Sequence, residues 1–316
     1  MHKFLCFKTT TNSYEGVNIL ITGGTGLIGK HLTQLLLSKG HKVSLLSREK
    51  VNVPDVKVYL WDTEKGLIDD DALKNTDYII HLAGAGIADK RWTDKRKQEI
   101  IDSRVKPIQL LNKHLKEQKI KLKAFISASA TGYYGGDTGE ARLDENSPAG
   151  NDFLATCTKI WEEEAEKFTQ AERVVSLRTG IVLSEKGGAL AQLIKPVKMG
   201  IGSPLGTGKQ WMSWIHIDDM CQLYLQAVED EKMQGAYNAV APDPVRNEEI
   251  TRVAAGVLKK PLWAPNVPAF VLKLLFGEMS VVVLGGSYIK NKRVSEELSF
   301  SYQFTSIKEA LEDLLK

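Results

Sequence analysis

The first regular pattern along the chain is a strand, a glycine-rich turn and a helix. An apolar run at 17–21 has the length of a buried strand and leads into the glycines at 23–29. Apolar side chains then recur at helical spacing, and with one histidine they share a face: Leu27, Ile28, His31, Leu32, Leu35 and Leu36. Gly40 follows at the position where glycine commonly ends a helix. The pattern therefore predicts a strand–helix unit that begins near residue 17.

Further short apolar runs follow, with helical patterns between several of them. Strands are predicted at 42–46, 56–60, 77–82, 124–129 and 174–183. The clearest helices are predicted at 94–118 and 153–170. Alternating strands and helices are typical of a parallel sheet that is covered on both faces. We therefore predict an α/β fold of the Rossmann type, with a doubly wound parallel sheet.

The alternation breaks after residue 183, which indicates a second, smaller lobe. A helix is predicted at about 219–229, and Ser306 with Glu309 forms a capping box before the last helix. The predicted division is a Rossmann domain over 17–183 and a substrate lobe over most of 184–316. Residues 1–16 are expected to be a mobile extension, or to follow from a start codon placed too early. A targeting segment is the alternative, but the stretch has no arginine and no small-residue cleavage pattern.

Composition and charge exclude several classes of protein. The 316 residues are 43% hydrophobic and 26% charged, and the net charge of +3 is too balanced to indicate nucleic-acid binding. No apolar run approaches the roughly 20 residues that span a bilayer. The cysteines are few and scattered, which indicates free thiols in a reducing compartment rather than a metal site: Cys6, Cys157 and Cys221. We expect a soluble, cytoplasmic protein without a metal.

The glycine-rich turn has a GxxGxxG spacing that is typical of dinucleotide sites. Gly23 is expected to allow the tight turn, Gly26 to let a pyrophosphate approach the backbone, and Gly29 to let the helix pack closely. The helix N-terminus would offer N–H groups and about half a positive charge to the phosphates. The expected contacts are Gly23, Thr25, Gly26, Leu27, Ile28 and Gly29. The alternative is a tight strand–helix turn with no ligand.

The residues at the end of the second strand indicate whether the site binds NAD(H) or NADP(H). An NAD site has an acidic residue there for the ribose hydroxyls, whereas this chain has Ser47 and Arg48. An arginine can pair with a 2′-phosphate in a bidentate way, and a serine can donate a hydrogen bond. Glu49 lies two places too late to act as that acid. We therefore expect NADP(H) rather than NAD(H).

Two further strand ends complete the expected cofactor site. Asp62, at the end of the third strand, suits the adenine edge or, alternatively, is a surface aspartate. Leu82, Ala83 and Gly84 end the fourth strand, where the chain can pass close to the dinucleotide. His81 beside them is expected to be a hydrogen-bonded neutral histidine rather than a catalyst.

Several motifs resemble those of a known family. TGGTGLIG at 22–29, HLAG at 81–84, and Ser129-Ala-Thr followed by Tyr134-Gly135 are similar to the extended short-chain dehydrogenases, such as the nucleotide-sugar epimerases. More specific motifs resemble the SDR39U1-like epimerase family proteins, which have a C-terminal tail domain: Arg91-Trp92-Thr93, Ser103-Arg104, Gly132-Tyr133-Tyr134, Leu177 to Gly180, and Trp214 to Asp219. The resemblance covers about 17–316, with the tail domain from about residue 262.

The resemblance implies an NADP-binding Rossmann lobe and a C-terminal substrate lobe. It implies cofactor contacts at Ser47, Arg48, Leu82, Ala83 and Arg104, and near Glu99 and Val182. Arg104 follows the fourth strand on a helix, where its head could reach a phosphate or ribose; a surface arginine is the alternative. The substrate of this family is poorly defined, so the resemblance does not imply one.

The usual catalytic pair of short-chain dehydrogenases is absent from this chain. That pair is a tyrosine acid/base and a lysine that share one face of the helix after the fifth strand. This chain has Leu154 and Thr158 at those positions. Lys159 lies one residue too late, which turns it by about 100° around the helix.

Other hydroxyl groups could replace the missing pair. Ser129 ends the fifth strand, where a hydroxyl could bind a substrate oxygen. Tyr133 and Tyr134 lie just beyond it, and either could supply the acid. We expect Ser129 and Tyr134 to be catalytic, with a packing or hydrogen-bonding tyrosine as the alternative for Tyr134.

The expected substrate contacts are Arg91, Trp92, Trp214 and His216. The first two follow the fourth strand, at the carboxyl edge where ligands bind, and the other two lie in the second lobe. Aromatic faces with an arginine suit a sugar, a nucleotide or a carboxylate, and an interlobe packing cluster is the alternative. Arg178 is either a substrate anchor or a buried ion-pair partner.

The sequence leaves two functions open. One is an NADP(H)-dependent oxidoreductase or epimerase that acts on a sugar nucleotide or a small carbonyl compound, held near Ser129. The other is a protein that senses NADPH without catalysis, which the missing catalytic pair favours. A small-molecule substrate is the expected partner; nucleic acid and membranes are not expected, and the pattern leaves a homodimer open.

Overall fold

The computed structural model describes residues 16–316, so the predicted extension at 1–16 lies almost wholly outside the described residues. The strands are β1 Asn18–Thr22, β2 Lys42–Ser47, β3 Lys57–Asp62, β4 Leu67–Ile68, β5 Tyr78–His81, β6 Leu122–Ala130, β7 Arg142–Leu143, β8 Ala171–Thr179, β9 Ile181–Leu183, β10 Trp211–Met212, β11 Trp214–His216, β12 Gly235–Ala239, β13 Val245–Arg246 and β14 Tyr288–Ile289. The α-helices are α1 Leu27–Ser38, α2 Asp94–Glu117, α3 Phe153–Glu166, α4 Gly188–Lys198, α5 Ile217–Glu229, α6 Asn247–Val257, α7 Ala269–Phe276, α8 Val281–Leu284, α9 Lys292–Glu297 and α10 Ile307–Leu315.

The central sheet contains eight of these strands in the order β12-β8-β6-β5-β1-β2-β3-β4. Neighbouring strands are parallel, except that β4 is antiparallel to β3. The order runs outward in both directions from the boundary between β1 and β5, so the winding of the chain reverses there. In sheets of this kind, ligands bind at the reversal, beyond the carboxyl ends of the strands.

The strands send alternate side chains into two apolar cores, one on each face of the sheet. Ile19 and Ile21 of β1 share one core with Leu32 of α1 and with residues of α5. Leu20, which lies between them, belongs to the other core with residues of α2 and α3, including Trp161. Helices therefore cover both faces, and the predicted doubly wound Rossmann-type fold is confirmed.

Several of the helices begin at polar N-cap residues. Thr93 accepts a hydrogen bond from the Arg96 N–H at the start of α2, and Asp152 accepts one from the Ala155 N–H at the start of α3. Ser306 caps α10, where the capping box was predicted. These bonds satisfy N–H groups that the first turn of a helix otherwise leaves without partners.

The sheet continues beyond the predicted division at residue 183. Strand β12 lies at its edge and pairs with β8 in parallel, and α5, which precedes β12, packs in the same core as α1. The division into two lobes stays a prediction, but the sheet takes its last strand from the C-terminal side of it. Cys157 and Cys221 are buried free thiols, whereas Cys6 lies outside the described residues. Within 16–316, no helix combines the length and the apolar character that crossing a bilayer requires.

Candidate functional site

The turn between β1 and α1 is packed so closely that two of its glycines have no room for a side chain. Gly23 has a φ of +71°, and a Cβ atom there would lie 2.8 Å from the Ala83 nitrogen. A Cβ atom on Gly29 would lie 2.5 Å from the Gly23 oxygen. The turn therefore fits against the end of β5 on one side and the first turn of α1 on the other.

The N-terminus of α1 is open at the carboxyl edge of the sheet. Gly26 is the N-cap residue, and no side chain caps the helix. Thr25 and Gly26 are exposed, whereas the Ile28 side chain packs against a core, so Ile28 can offer a ligand only its backbone. A Cβ atom on Gly188 would lie 3.3 Å from the Leu27 side chain and 3.8 Å from the Val182 oxygen, so the expected contacts Leu27 and Val182 are near neighbours.

The residues that end β2 and β3 differ in how freely they can bind a ligand. Arg48 is exposed and forms no hydrogen bond or ion pair with any residue of the described chain. Ser47 is half-buried, and its Oγ accepts a hydrogen bond from the Glu49 N–H at 3.2 Å. Asp62 closes a turn instead, because its Oδ1 accepts from the backbone N–H groups of Glu64 and Lys65. The bond from Lys65 lowers the pKa of Asp62, and these contacts favour the surface alternative for this residue.

The chain at the end of β5 is held beside the glycine turn by Thr22. The Leu82 N–H donates to the Thr22 oxygen at 3.0 Å, and the Ala83 N–H donates to its Oγ1 at 3.3 Å. His81 Nδ1 lies 2.7 Å from the same Oγ1. Burial lowers the pKa of His81 to about 4, so the ring is neutral at physiological pH, as predicted.

Arg104 is a half-buried cation that has no carboxylate partner among the residues that the structure describes. Its guanidinium donates to the Ile100 oxygen at 2.8 Å and lies 5.0 Å from the centre of the Trp161 ring. A Cβ atom on Gly84 would lie 3.4 Å from it, which sets Arg104 against the 82–84 loop. Burial lowers its pKa, and no acidic residue in the described part of the chain pairs with it. Glu99 is exposed and lies 3.3 Å from Arg96 instead.

A buried polar network lies at the carboxyl end of β6. Ser129 Oγ donates to Glu162 Oε1 at 2.5 Å. Arg178 donates from Nε and Nη2 to the two oxygens of Glu162, at 2.9 and 2.8 Å. Burial alone would lower the pKa of Arg178, but the hydrogen bonds to Glu162 raise it above its ordinary value. Of the two roles that the sequence left open, Arg178 has that of a buried ion-pair partner.

Tyr134 belongs to the same network. Its hydroxyl donates to Asn238 Oδ1 at 2.9 Å and accepts from Arg178 Nη1 at 3.0 Å, and the residue is 3% exposed. Burial raises the pKa of Tyr134 to about 12. Asn238 is fixed in turn, because its Nδ2 donates to the Lys290 oxygen at 2.8 Å. Sequence reasoning missed both Glu162 and Asn238, and Asn238 has no motif around it.

A tight turn at 131–134 covers the helix positions where a short-chain dehydrogenase has its tyrosine and lysine. A Cβ atom on Gly132 would lie 3.4 Å from Leu154 Cβ and 3.5 Å from Thr158 Oγ1. Tyr133, in this turn, is half-buried, and its ring lies 3.5 Å from the Arg178 guanidinium carbon. Its hydroxyl has no hydrogen-bond partner in the described chain, unlike that of Tyr134.

Two of the expected substrate contacts remain near the edge of the site. Arg91 is exposed and lies against Gly277, which immediately follows α7. Trp92 is half-buried, donates from Nε1 to the Ile87 oxygen at 2.8 Å, and packs edge-on against Phe153.

The other two expected substrate contacts are corrected by the structure. Trp214 is fully buried, and its Nε1 donates to the Asp243 oxygen at 2.9 Å. His216 is 1% exposed; its Nδ1 caps α5 by accepting from the Asp218 N–H, and its ring packs on Phe304. Both motif residues therefore hold elements together, and neither has a surface that a substrate reaches.

Two family models match the chain. The model of the NAD dependent epimerase/dehydratase family matches residues 19–239, and that of a domain of unknown function, DUF1731, matches residues 267–314. The first match includes the whole central sheet except the start of β1, and the second covers most of the region where the tail domain was expected. The two matches lie on the chain in the order that the motifs predicted.

Individual relatives match almost the whole chain. The epimerase family protein SDR39U1 homolog of Arabidopsis thaliana, described as chloroplastic, is 36% identical over 95% of this chain and 87% of its own length. The epimerase family protein YfhF of Bacillus subtilis is 35% identical over 95% of this chain and 98% of its own length.

Solved structures agree with the sequence relatives. The crystal structure of human epimerase family protein SDR39U1 with NADPH superposes with a TM-score of 0.84 at 30% identity, covering 94% of this chain and 99% of that one. The UDP-glucuronic acid 4-epimerase of Bacillus cereus, with a TM-score of 0.76 at 20% identity over 94% of this chain and 98% of that one, shares the fold. The resemblance expected from the motifs is thereby confirmed, and the chain belongs to the NAD dependent epimerase/dehydratase family as an SDR39U1-like epimerase family protein.

Proposed function

We propose that this chain binds NADP(H) at the carboxyl ends of β1, β2 and β5. The observation that carries the proposal is Arg48, an exposed guanidinium without a partner in the described chain, next to Ser47 where NAD sites have an acidic residue. An arginine head matches a phosphate in a bidentate way, which suits the 2′-phosphate of NADP(H). The human relative solved with NADPH supports this assignment.

The remaining residues of the site fit the other parts of the dinucleotide. The uncapped N-terminus of α1 offers backbone N–H groups to a pyrophosphate, and the space without side chains at Gly23 and Gly29 keeps the turn compact. Arg104 is a half-buried positive charge beside the 82–84 loop, and a phosphate or ribose oxygen would compensate it. Leu82 and Ala83 lie against Gly23, and the next residue, Gly84, lies against Arg104, so the 82–84 loop connects these two parts of the site.

The proposed reaction is oxidoreduction or epimerisation of a sugar nucleotide or a small carbonyl compound. The cofactor would supply hydride transfer at its nicotinamide ring. The Ser129 hydroxyl hydrogen is already given to Glu162, which is an acceptor when ionised, so Ser129 offers a substrate only its lone pairs. The residue is also only 3% exposed, so a hydrogen bond from a substrate hydroxyl to Ser129 requires the site to open.

We propose that Tyr133 contacts the substrate and that Tyr134 positions Arg178. The Tyr134 hydroxyl already donates once and accepts once inside the network, whereas the Tyr133 hydroxyl has no partner in the described chain. The Arg178 cation over the Tyr133 ring would stabilise negative charge that develops on its oxygen. This revises the expectation that Tyr134 is the acid.

The alternative is a protein that binds NADPH and signals its presence without catalysis. The observation that favours it is the turn at 131–134, which packs against Leu154 and Thr158, the residues at the positions of the usual tyrosine and lysine. It predicts capture of a protein partner that depends on NADPH, and capture that is indifferent to NADPH would contradict it.

Calorimetric titration of the purified chain with NADPH and with NADH tests the proposal. We expect NADPH to bind more tightly, and Arg48→Ala to weaken NADPH binding while leaving NADH binding nearly unchanged. Lys50→Ala is the matched control, because it removes a nearby exposed charge. Equal binding of both dinucleotides would show that Arg48 does not select NADPH. If neither dinucleotide binds, the proposed cofactor site is wrong.

A second measurement separates the enzyme from the sensor. The absorbance of NADPH is followed in the presence of a panel of sugar nucleotides and small carbonyl compounds, and sugar products are analysed for isomerisation. An activity that Tyr133→Phe abolishes supports the proposed role of Tyr133. An activity that survives in Tyr133→Phe contradicts that role.

A further inference from the structure

Two segments in the C-terminal half are basic and contain no acidic residue. Residues 186–217 and 250–277 lack aspartate and glutamate altogether. Their basic residues are Lys186, Lys195, Lys198, Lys209, Arg252, Lys259, Lys260 and Lys273. Since the whole chain has a net charge of only +3, the chain outside these segments is net acidic, and the positive charge is concentrated here.

The same two segments carry most of the exposed apolar side chains. Nine large apolar side chains are exposed among the residues that the structure describes, and seven of them lie here: Met199, Ile201, Leu262, Trp263, Phe270, Leu274 and Leu275. Trp263, Phe270 and Leu274 are 70%, 71% and 77% exposed. Single exposed apolar residues are common on proteins, but a concentration of them indicates an interaction surface.

The two segments lie side by side in the structure. Trp263 Nε1 donates to the Gly200 oxygen at 2.9 Å, and Leu205 pairs with Val267 in a parallel bridge. Helix α7 follows directly, and of its eight residues only Leu272 is buried. The two segments therefore adjoin, and we call their seven exposed apolar side chains, together with the exposed lysines of the same segments, the apolar-basic face.

The lysines of this face are available to an external anion. Lys195 and Lys198 end α4, Lys259 and Lys260 follow α6, and Lys273 lies on α7; all five are exposed. None of them forms an ion pair with a carboxylate in 16–316. A second copy of the chain would bring the same positive charge against itself in a symmetric contact, which disfavours self-association through this face.

We infer that the apolar-basic face docks on the interface of a membrane that contains anionic lipid, which revises the expectation that membranes are not partners. Lysines near a bilayer are attracted by anionic headgroups. Exposed tryptophan, phenylalanine and leucine side chains enter the boundary between headgroups and acyl chains, where tryptophan is favoured. The face has both components together, and neither requires a helix that crosses the bilayer.

Vesicle co-sedimentation of the full chain tests this inference with two lipid compositions. One vesicle is phosphatidylcholine alone, and the other contains phosphatidylserine as well. We expect binding only to the second, weakened by salt because the attraction is electrostatic. Phe270→Ser with Leu274→Ser should lower binding at least about tenfold, because the apolar insertion is lost. Leu60→Ser with Leu67→Ser is the matched control, since these are the two exposed leucines outside the face.

A second pair of variants keeps the test independent of one double substitution. Lys259→Glu with Lys260→Glu should also lower binding at least about tenfold, whereas Lys121→Glu with Lys123→Glu, exposed lysines elsewhere, should not. Circular dichroism confirms that each variant is folded. Absence of binding to the phosphatidylserine vesicles, or equal binding by wild type and the Phe270/Leu274 variant, would overturn the inference. So would a dimer in analytical ultracentrifugation that Phe270→Ser with Leu274→Ser converts to a monomer, because the face would then join two copies.

Discussion

Arg178 and Glu162 form a bidentate ion pair that is buried at the carboxyl end of the central sheet. The two hydrogen bonds measure 2.9 and 2.8 Å, and the residues are 5% and 6% exposed. Ser129 and Tyr134, which carried the expected chemistry, are both hydrogen-bonded to this pair. The Arg178–Glu162 pair therefore determines which hydroxyl groups of the candidate site remain free to donate a hydrogen bond to a substrate.

Glu162→Gln should destabilise the protein strongly, because it leaves the Arg178 charge buried without a counter-charge. Breaking a buried pair in this way costs about 3–5 kcal/mol in the free energy of unfolding. Urea unfolding measures that cost. Glu163→Gln is the control, because Glu163 is half exposed and lies 3.8 Å from Lys159 at the surface; its change should stay within about 0.5 kcal/mol. Equal effects of the two substitutions would contradict the importance of the buried pair.

The fold was predictable from local pattern, because its signals lie in contiguous residues. The strand, glycine turn and helix at 17–40 follow from apolar spacing and from glycines, and the structure gives physical reasons for Gly23 and Gly29 in neighbouring backbone atoms. Strand β12 escaped prediction, since a five-residue edge strand beyond a proline-rich and glycine-rich stretch has little pattern of its own.

The candidate site was less predictable, because motif residues with similar chemistry have opposite environments. Trp214 and His216 are polar-tipped aromatic residues in a recognisable motif, yet both are buried and hold elements together. Asn238 joins the network from more than 100 positions beyond Tyr134, a pairing that only the tertiary fold creates. Burial and long-range pairing are properties of the packed chain, so residue type alone does not reveal them.

Gly23→Ala should reduce both stability and NADPH binding. The residue has a φ of +71°, and the new Cβ would lie 2.8 Å from the Ala83 nitrogen, so the turn or the 82–84 loop must move. Gly40→Ala is the matched control, because Gly40 has a φ of +84° but nothing within 4 Å of a Cβ atom. Gly40→Ala should cost only the left-handed backbone penalty, about 1–2 kcal/mol, with NADPH binding unchanged. Urea unfolding and calorimetry measure the two effects, and equal losses in the two variants would argue against the close packing.

Stability should fall in mild acid because of His81. Its pKa is lowered to about 4 in the folded chain, whereas an unfolded histidine has a pKa near 6.5, so the unfolded state takes up a proton first as pH falls. The difference in pKa contributes about 3 kcal/mol to the free energy of unfolding. This contribution is fully present above about pH 6.5 and is lost as the pH falls from there to about 4. Urea unfolding across this range should show a smaller pH slope for His81→Asn than for wild type. An unchanged slope would mean that other groups cause the acid sensitivity.

Tyr134→Phe should cost stability, whereas Tyr133→Phe should not. The Tyr134 hydroxyl bonds to Arg178 at 3.0 Å and to Asn238 at 2.9 Å, and its removal leaves a charged donor and an amide oxygen buried without that partner. We expect a loss of about 2–3 kcal/mol in the free energy of unfolding. The Tyr133 hydroxyl has no such partner in the described chain, so Tyr133→Phe should change stability by less than about 0.5 kcal/mol. Urea unfolding of the two variants tests whether the Tyr134 hydroxyl is held in the network while the Tyr133 hydroxyl is free. A larger loss of stability in Tyr133→Phe than in Tyr134→Phe would reverse the roles proposed for the two tyrosines.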